Sequence, residues 1–317
     1  MRDNAACCFL SAAVAQWIEY WPPKPRVVGS IPASRTSNQF LPADAHSMTV
    51  LPAPENAQAA AAELLRQHAA RESFQGLPAA FAPSDAQAAY RIQDACIAQL
   101  LLQRQTAPAG YKIAITTPAM RDMVGFQDSV AGRLLADQLH RSGDRIRASD
   151  YVHLIVEFEI AFELARALPA KPSPWTGDSI LGYVKCAYPA LEIADDRLAH
   201  YPSLKQSLLT LVADNAWNQG LVLGAPVVGL DADAILALEG HAFIDGTEVG
   251  RGTGRDVLGH PLDALAWLAN HLAGRGMTMR AGDIVTTGSL VKSQFPVAGN
   301  RVEFRLPGFG EVQIDIT

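Results

Sequence analysis

Four cysteines in 317 residues, at positions 7, 8, 96 and 186 and never in a C-x-x-C arrangement, leave no disulfide framework and no zinc ribbon to be read. A reducing cytoplasm is the compartment they fit. The formal charge is -6 and no basic block is long enough to track a phosphate backbone, so nucleic acid is excluded as a partner class. No apolar run reaches the roughly 18 to 20 residues that span a bilayer, which excludes a transmembrane helix. There is no G-x-S-x-G elbow, no H-E-x-x-H and no clustered Cys/His set, so serine-hydrolase and zinc-protease chemistries lack support. Gly250-Arg251-Gly252-Thr253-Gly254-Arg255-Asp256 has the look of a phosphate-cradling loop, but G-x-G-x-x-G fails at Val257, and dinucleotide binding is not supported. A glycine-rich turn before a helix, or a close backbone approach to an anionic substrate, are the two readings left for it.

What is present is ordinary for a folded protein: 49% apolar and 18% charged residues, in a chain long enough for one or two domains. The first 47 residues stand apart. Asp3 and Glu19 interrupt their short apolar stretch and Pro22-Pro23 follows, which is poor signal-peptide grammar. The run VAQWIEYWPPKPRVVGSIPASRT resembles a transfer-RNA gene translated in an unintended frame. The expectation is a mis-assigned or disordered leader over 1–47 and a start at Met48, a genuine flexible leader being the alternative.

Residues 48–109 read as a helical region. ENAQAAAAELLRQHAARE has helical spacing of its apolar residues. In PSDAQAAYRIQDACIAQLLLQRQ, Ser84 with Gln87 forms a capping box that opens a second helix near Asp85, and Pro108-Ala109-Gly110 breaks the chain after it. From 110 onward short β-type runs follow, at 111–116, 151–164, 221–223, 242–244, 283–287, 301–306 and 311–316. The last two, joined by Pro307-Gly308-Phe309-Gly310, form a hairpin signature. His260-Pro261 leads into a helix ending at Gly274 or Gly276, and 168–179 is a proline-rich loop. Helices first and strands with inserted helices afterwards indicate an α+β fold.

Three segments carry chemistry. In Val156-Glu157-Phe158-Glu159-Ile160-Ala161-Phe162-Glu163, strand alternation puts Glu157 and Glu159 on one face and Val156, Phe158, Ile160 and Phe162 on the other. The pair is either the solvated face of a half-buried strand or a site for a hard divalent cation, which relieves the repulsion of neighbouring carboxylates. Glu192 stands between apolar residues in YPALEIAD and needs a partner if buried, Arg197 being one candidate. Lys112 alternates with Tyr111, Ile113 and Ile115. It lies on a solvated face, or in a desolvated pocket where its pKa would fall and it would move protons.

Taken in order, SDAQAAYRIQ, GYKIAITTPAM, Val156-Glu157-Phe158-Glu159, YPALEIAD, VADNA at 212–216, Gly250-Arg251-Gly252, Leu258-Gly259-His260-Pro261-Leu262 and AGDIVTTG at 281–288 resemble the 2-oxopent-4-enoate hydratase and 4-oxalocrotonate decarboxylase branch of the fumarylacetoacetate hydrolase superfamily. The resemblance runs from about residue 50 to the end. It implies a mixed β-roll over 110–317 that carries Mg²⁺ or Mn²⁺ on Glu157, Glu159 and Glu192. It also implies Lys112 as the proton-handling residue, substrate-binding groups at Arg251, Gly252, Thr287, Gly288 and Ser289, and a homo-oligomer. The implied reaction is hydration of a small 2-oxo or enol carboxylic acid of the 2-hydroxypenta-2,4-dienoate type to a 4-hydroxy-2-oxo acid. Decarboxylation of a 2-oxo diacid, with Arg251, Arg255 or Lys292 receiving the distal carboxylate, and C–C hydrolysis of an acylpyruvate are the alternatives. A non-catalytic metal and oxo-acid binding module is the third. The chain departs from the family twice. Val130 stands where an acid partners the lysine, leaving Asp128 as its candidate substitute, and His153, Leu154 and Ile155 stand where a proline and an arginine are usual.

Overall fold

The structure, a computed structural model, describes residues 55–171 and 173–317; the expected leader and the start at Met48 lie outside the described residues. Helix α1 (Glu55–Ala69) buries Ala57, Ala60, Ala61 and Leu64, one helical face written in small residues. Helix α2 (Ala86–Arg104) packs against it. The expected cap is corrected: Asp85, not Ser84, is the N-cap and accepts from Ala88 N at 2.7 Å, while Ser84 only donates to Asp85. A carboxylate suits the positive end of a helix better than a hydroxyl.

Pro108 opens strand β1 (Pro108–Ala114) rather than a loop. The chain continues through α3 (Pro118–Val124), β2 (Val130–Leu135), β3 (Leu139–Arg141), β4 (Arg145–Ile146), β5 (Leu154–Leu164), α4 (Gly177–Leu181), β6 (Val184–Asp195) and α5 (Leu204–Ala213). Then come β7 (Asn218–Leu223), α6 (Ala232–Ala237), β8 (Glu239–Ile244), β9 (Thr247–Thr253), α7 (Pro261–Gly274), β10 (Ile284–Gln294), β11 (Arg301–Leu306) and β12 (Gly310–Ile316). The strands form a seven-stranded sheet, β2-β1-β10-β5-β6-β7-β3, and a five-stranded sheet, β4-β12-β11-β8-β9. Parallel pairing at β1–β10 and β3–β7 makes the larger one mixed, as expected, and the β11–β12 hairpin is present.

One face of β5 supplies the core. Val156, Phe158, Ile160 and Phe162 are each fully buried, and Phe158 meets Phe304 of β11 edge-on at 5.5 Å, joining the two sheets. On the other face the larger sheet curls, so that β2 approaches β7 although five sheet positions separate them. A second apolar cluster, including Leu134, Ala161, Ala190, Leu221 and Ile284, fills one end of the curl. Its two edges are not hydrogen-bonded to each other. Instead the carboxamide of Asn215 accepts from Arg133 N at 2.6 Å and donates to Arg133 O at 3.0 Å, standing in for a strand. Asn215→Ala is therefore expected to cost about 1–3 kcal/mol in urea unfolding, a penalty that reaches the whole roll because the seam is tied there.

The glycine-rich segment is divided: it is strand β9 as far as Thr253 and a single 3-10 turn over Gly254–Asp256 ahead of α7. A Cβ on Gly252 would lie 1.7 Å from Leu290 O, so that glycine lets β9 pass close across β10.

Candidate active site

Strand alternation puts Glu157 and Glu159 on the inner face of the curled sheet, and the β5–β6 register sets Glu192 directly beside Glu157. One carboxylate oxygen from each of the three lies within 4.8 Å of the others. Glu159 and Glu192 are fully buried, so the solvated-face alternative fails. Each is held by groups the strands deliver. Ser293 Oγ donates to Glu157 at 2.7 Å, Gly288 N donates to Glu159 at 2.9 Å, and Asn218 Nδ2 donates to Glu192 at 2.9 Å.

The Gly288 contact follows from the segment Thr286-Thr287-Gly288-Ser289. The register of β10 against β5 slips between Thr286 and Ser289. Thr287 Oγ1 then donates to Ile160 O at 2.9 Å, Ser289 Oγ accepts from Phe158 N at 2.9 Å, and the Gly288 amide is left for the Glu159 carboxylate. At Gly288 φ is +108° and a Cβ would meet Thr116 Oγ1 at 2.4 Å, so only glycine fits.

Lys112 arrives from β1 with its stem laid over Gly132, where a Cβ would sit 2.9 Å from Lys112 Cγ. Its Nζ is 3.1 Å from Glu192 Oε1 and its side chain is 4% exposed. Burial alone would lower the lysine pKa, but attraction to Glu192, Glu157 and Glu159 outweighs it and the net shift is upward. That reverses the direction anticipated for a desolvated lysine. Burial pushes Glu159 well above the usual carboxylate range, reinforced by the charges of Glu192 and Glu157. Burial also raises Glu192, against the pull of Lys112.

Two buried carboxylate oxygens, Glu159 Oε1 and Glu192 Oε2, have no hydrogen-bond partner among the described residues. Three converging carboxylates with one lysine between them carry an excess of negative charge, and the spare oxygens are hard ligands. The donor set fits a divalent cation.

Other anticipated groups lie elsewhere. Asp128 is exposed and accepts from Trp267 Nε1 at 2.6 Å. Val130, at the position of the family's acid, is fully buried opposite Ala114 on the lysine's own strand. Arg251 is exposed and bound to Glu248, with Glu239 3.8 Å away. Arg197 does not pair with Glu192; it pairs with Asp214 at 2.7 Å. Asn218, Ser293 and Gly132 escaped the sequence reading. Their only signal was position, since small or neutral polar residues acquire meaning here from strand register alone.

Comparison with known proteins agrees with this architecture. The family model described as fumarylacetoacetate (FAA) hydrolase C-terminal matches residues 133–317. A 2-keto-4-pentenoate hydratase of Paraburkholderia phymatum is 32% identical over 254 residues, 80% of this chain and 94% of the relative. A 4-oxalocrotonate decarboxylase from a Pseudomonas species is 30% identical over 68% of this chain and 81% of its own length. Among solved structures, the 4-oxalocrotonate decarboxylase of Pseudomonas putida G7, complexed with magnesium and adipate, superimposes with a TM-score of 0.75. It is 23% identical over 83% of this chain and 98% of that one, a likeness of fold. The match across 133–317 includes all three clustered glutamates, and with the hydratase relative spanning most of the chain, this protein belongs to the fumarylacetoacetate hydrolase family.

Proposed function

We propose that the chain is a metal-dependent hydro-lyase that adds water to an enol acid of the 2-hydroxypenta-2,4-dienoate type, giving a 4-hydroxy-2-oxo acid. The observation that carries the reading is the buried carboxylate cluster with two unpartnered oxygens beside a buried lysine. Glu157, Glu159 and Glu192 would hold Mg²⁺ or Mn²⁺. Such a cation, when bound, supplies the positive charge that stabilises a developing enolate. Lys112 holds and moves the proton at its Nζ, within reach of whatever sits against Glu192. The fully buried Val130, on β2 opposite Ala114, puts an apolar side chain beside the lysine strand, so no acid there shares this task.

Relatives named as hydratases and as decarboxylases both support a chemistry that passes through an enolate of a 2-oxo acid. Hydration is favoured because the cations considered for a distal carboxylate are exposed, and Arg251 is committed to Glu248 and Glu239. Homo-oligomeric assembly is part of the same reading.

The test is the ultraviolet absorbance of freshly generated 2-hydroxypenta-2,4-dienoate with the purified full chain, with and without Mg²⁺, beside Glu157→Ala. Metal-dependent decay to 4-hydroxy-2-oxopentanoate, lost in the variant, is the expected result. A persistent dienoate with CO₂ released from a 2-oxo diacid would identify a decarboxylase, and metal binding with neither reaction would identify a binding module.

A further inference from the structure

Glu192 presents one oxygen to two donors. Lys112 Nζ lies 3.1 Å from its Oε1, and Asn218 Nδ2 donates to that same oxygen at 2.9 Å. A carboxylate oxygen has about two lone-pair sites, so Oε1 is filled. Oε2 is buried and has no hydrogen-bond partner among the described residues. The last torsion of a glutamate is broad and two-fold, so nothing in the side chain itself decides which oxygen takes which place. The ammonium does not decide it either, because rotatable donors on a flexible stem follow whichever oxygen is nearer.

Asn218 is the fixed member of the three. It opens β7 beside Ala194 of β6, two residues past Glu192, and its Nδ2 also reaches Gly220 O at 3.4 Å, which holds the short carboxamide to its own strand. A strained turn delivers it. Asn215, Ala216 and Trp217 have φ of +54°, +48° and +62°, a run that non-glycine residues adopt only where their surroundings hold them. Here the Asn215 carboxamide is tied to the Arg133 backbone across the seam. The Trp217 ring stands edge-on to Phe74 at 5.1 Å and to Tyr201 at 6.1 Å. The next side chain along is the one that meets Glu192.

Resting on the metal-dependent part of the proposed function, we infer that Asn218 is a positioning residue that divides the oxygens of Glu192 between two tasks. It pins Oε1 where Lys112 meets it, and so leaves Oε2 turned to the cation. With the carboxamide gone, the carboxylate turns about its last bond, the ammonium competes for both oxygens, and the cation loses a ligand set in advance. Hydrogen-bond partners standing behind a metal ligand are worth about 10–100-fold in metal affinity. Asn218 acts through Glu192 alone, so its effect is read first on the metal and only then on turnover.

Asn218→Leu keeps the branching of the side chain and removes the donor, and Asn218→Ala removes it with less volume, so a fault of packing in one does not carry over to the other. On the purified full chain, titration calorimetry reads Mn²⁺ affinity, and the visible bands of bound Co²⁺ read the arrangement of its ligands. The expected result, in whichever variants keep the wild-type circular dichroism, is an Mn²⁺ Kd raised about 10–100-fold together with altered Co²⁺ bands. A lower melting temperature without metal, with Mn²⁺ affinity within about twofold of wild type and unchanged Co²⁺ bands, is the signature of a merely structural residue and overturns the inference. A wild type that binds no Mn²⁺ overturns the metal reading and this role with it. A wild type that binds Mn²⁺ but hydrates no dienoate overturns the hydratase reading alone, and the fall in affinity supports the role of Asn218 in that case too.

Discussion

Glu159→Gln is expected to make the metal-free protein more stable and, at the same time, unresponsive to metal. Glu159 is fully buried, its Oε1 has no partner, and Glu192 and Glu157 crowd it with like charge. Burying a carboxylate under those conditions is unfavourable unless a cation lies among the three, and Lys112 is already drawn to Glu192. Glutamine keeps the shape, can still accept from Gly288 N through its carbonyl and is neutral without taking up a proton, so the substitution removes the cost of the buried carboxylate without opening a hole. Each kcal/mol gained raises the melting temperature by about 2–4 °C in a chain of this size. The wild type should gain about 2.7 kcal/mol when Mn²⁺ is present at 100 times its Kd, and the variant almost none. Dienoate hydration should fall by roughly 10²–10³-fold or more. Differential scanning fluorimetry with and without Mn²⁺ reads both signs. A variant that is destabilised without metal would mean that Glu159 is a structural anchor, and one that still responds fully to metal would remove it from the ligand set.

Much of this site was legible in the sequence because strand periodicity is a local property. Alternation alone placed Glu157 and Glu159 together, and Val156, Phe158, Ile160 and Phe162, on the opposite face, form the core face of β5. Glu192 was recognisable as needing a partner, but its partner was not: Arg197 is five residues away in sequence and bends off to Asp214, whereas Lys112 comes from a strand eighty positions earlier. Long-range pairing of this kind is set by sheet order, which no local pattern carries. Strand β6 was not read as a strand at all, since Pro189 stands inside it, paired with Ile160, and proline argues against a central strand. β10 was read as ending at Thr287 but runs to Gln294 through three register shifts. Those bulges erase the two-residue alternation that would have announced it, and they also free the amide that holds Glu159. The sign of the Lys112 shift was missed for a related reason: desolvation can be guessed from apolar neighbours in sequence, but the three carboxylates that overrule it come from other strands.

Lys112→Met should give the opposite stability signature from Glu159→Gln with a comparable loss of turnover. Methionine fills the channel above Gly132 that the lysine stem occupies, so packing is largely kept. What goes is the ammonium 3.1 Å from Glu192, leaving three carboxylates in a buried space with no cation. Breaking one side of such a pair costs about 3–5 kcal/mol, so the metal-free variant should melt well below wild type. Added Mn²⁺ should restore more stability to it than to the wild type, because the cation then meets Glu192 without a competing ammonium. Hydration should nevertheless stay about 10²–10⁴-fold down at saturating metal, the range attached to losing a positioned proton-transfer group. The combination is the point: metal binding retained or tightened while turnover is lost separates a residue that moves protons from one that merely builds the metal site. If titration calorimetry shows Mn²⁺ affinity falling in step with activity, Lys112 acts by supporting the carboxylates, and the proton must be handled by another group in contact with the substrate.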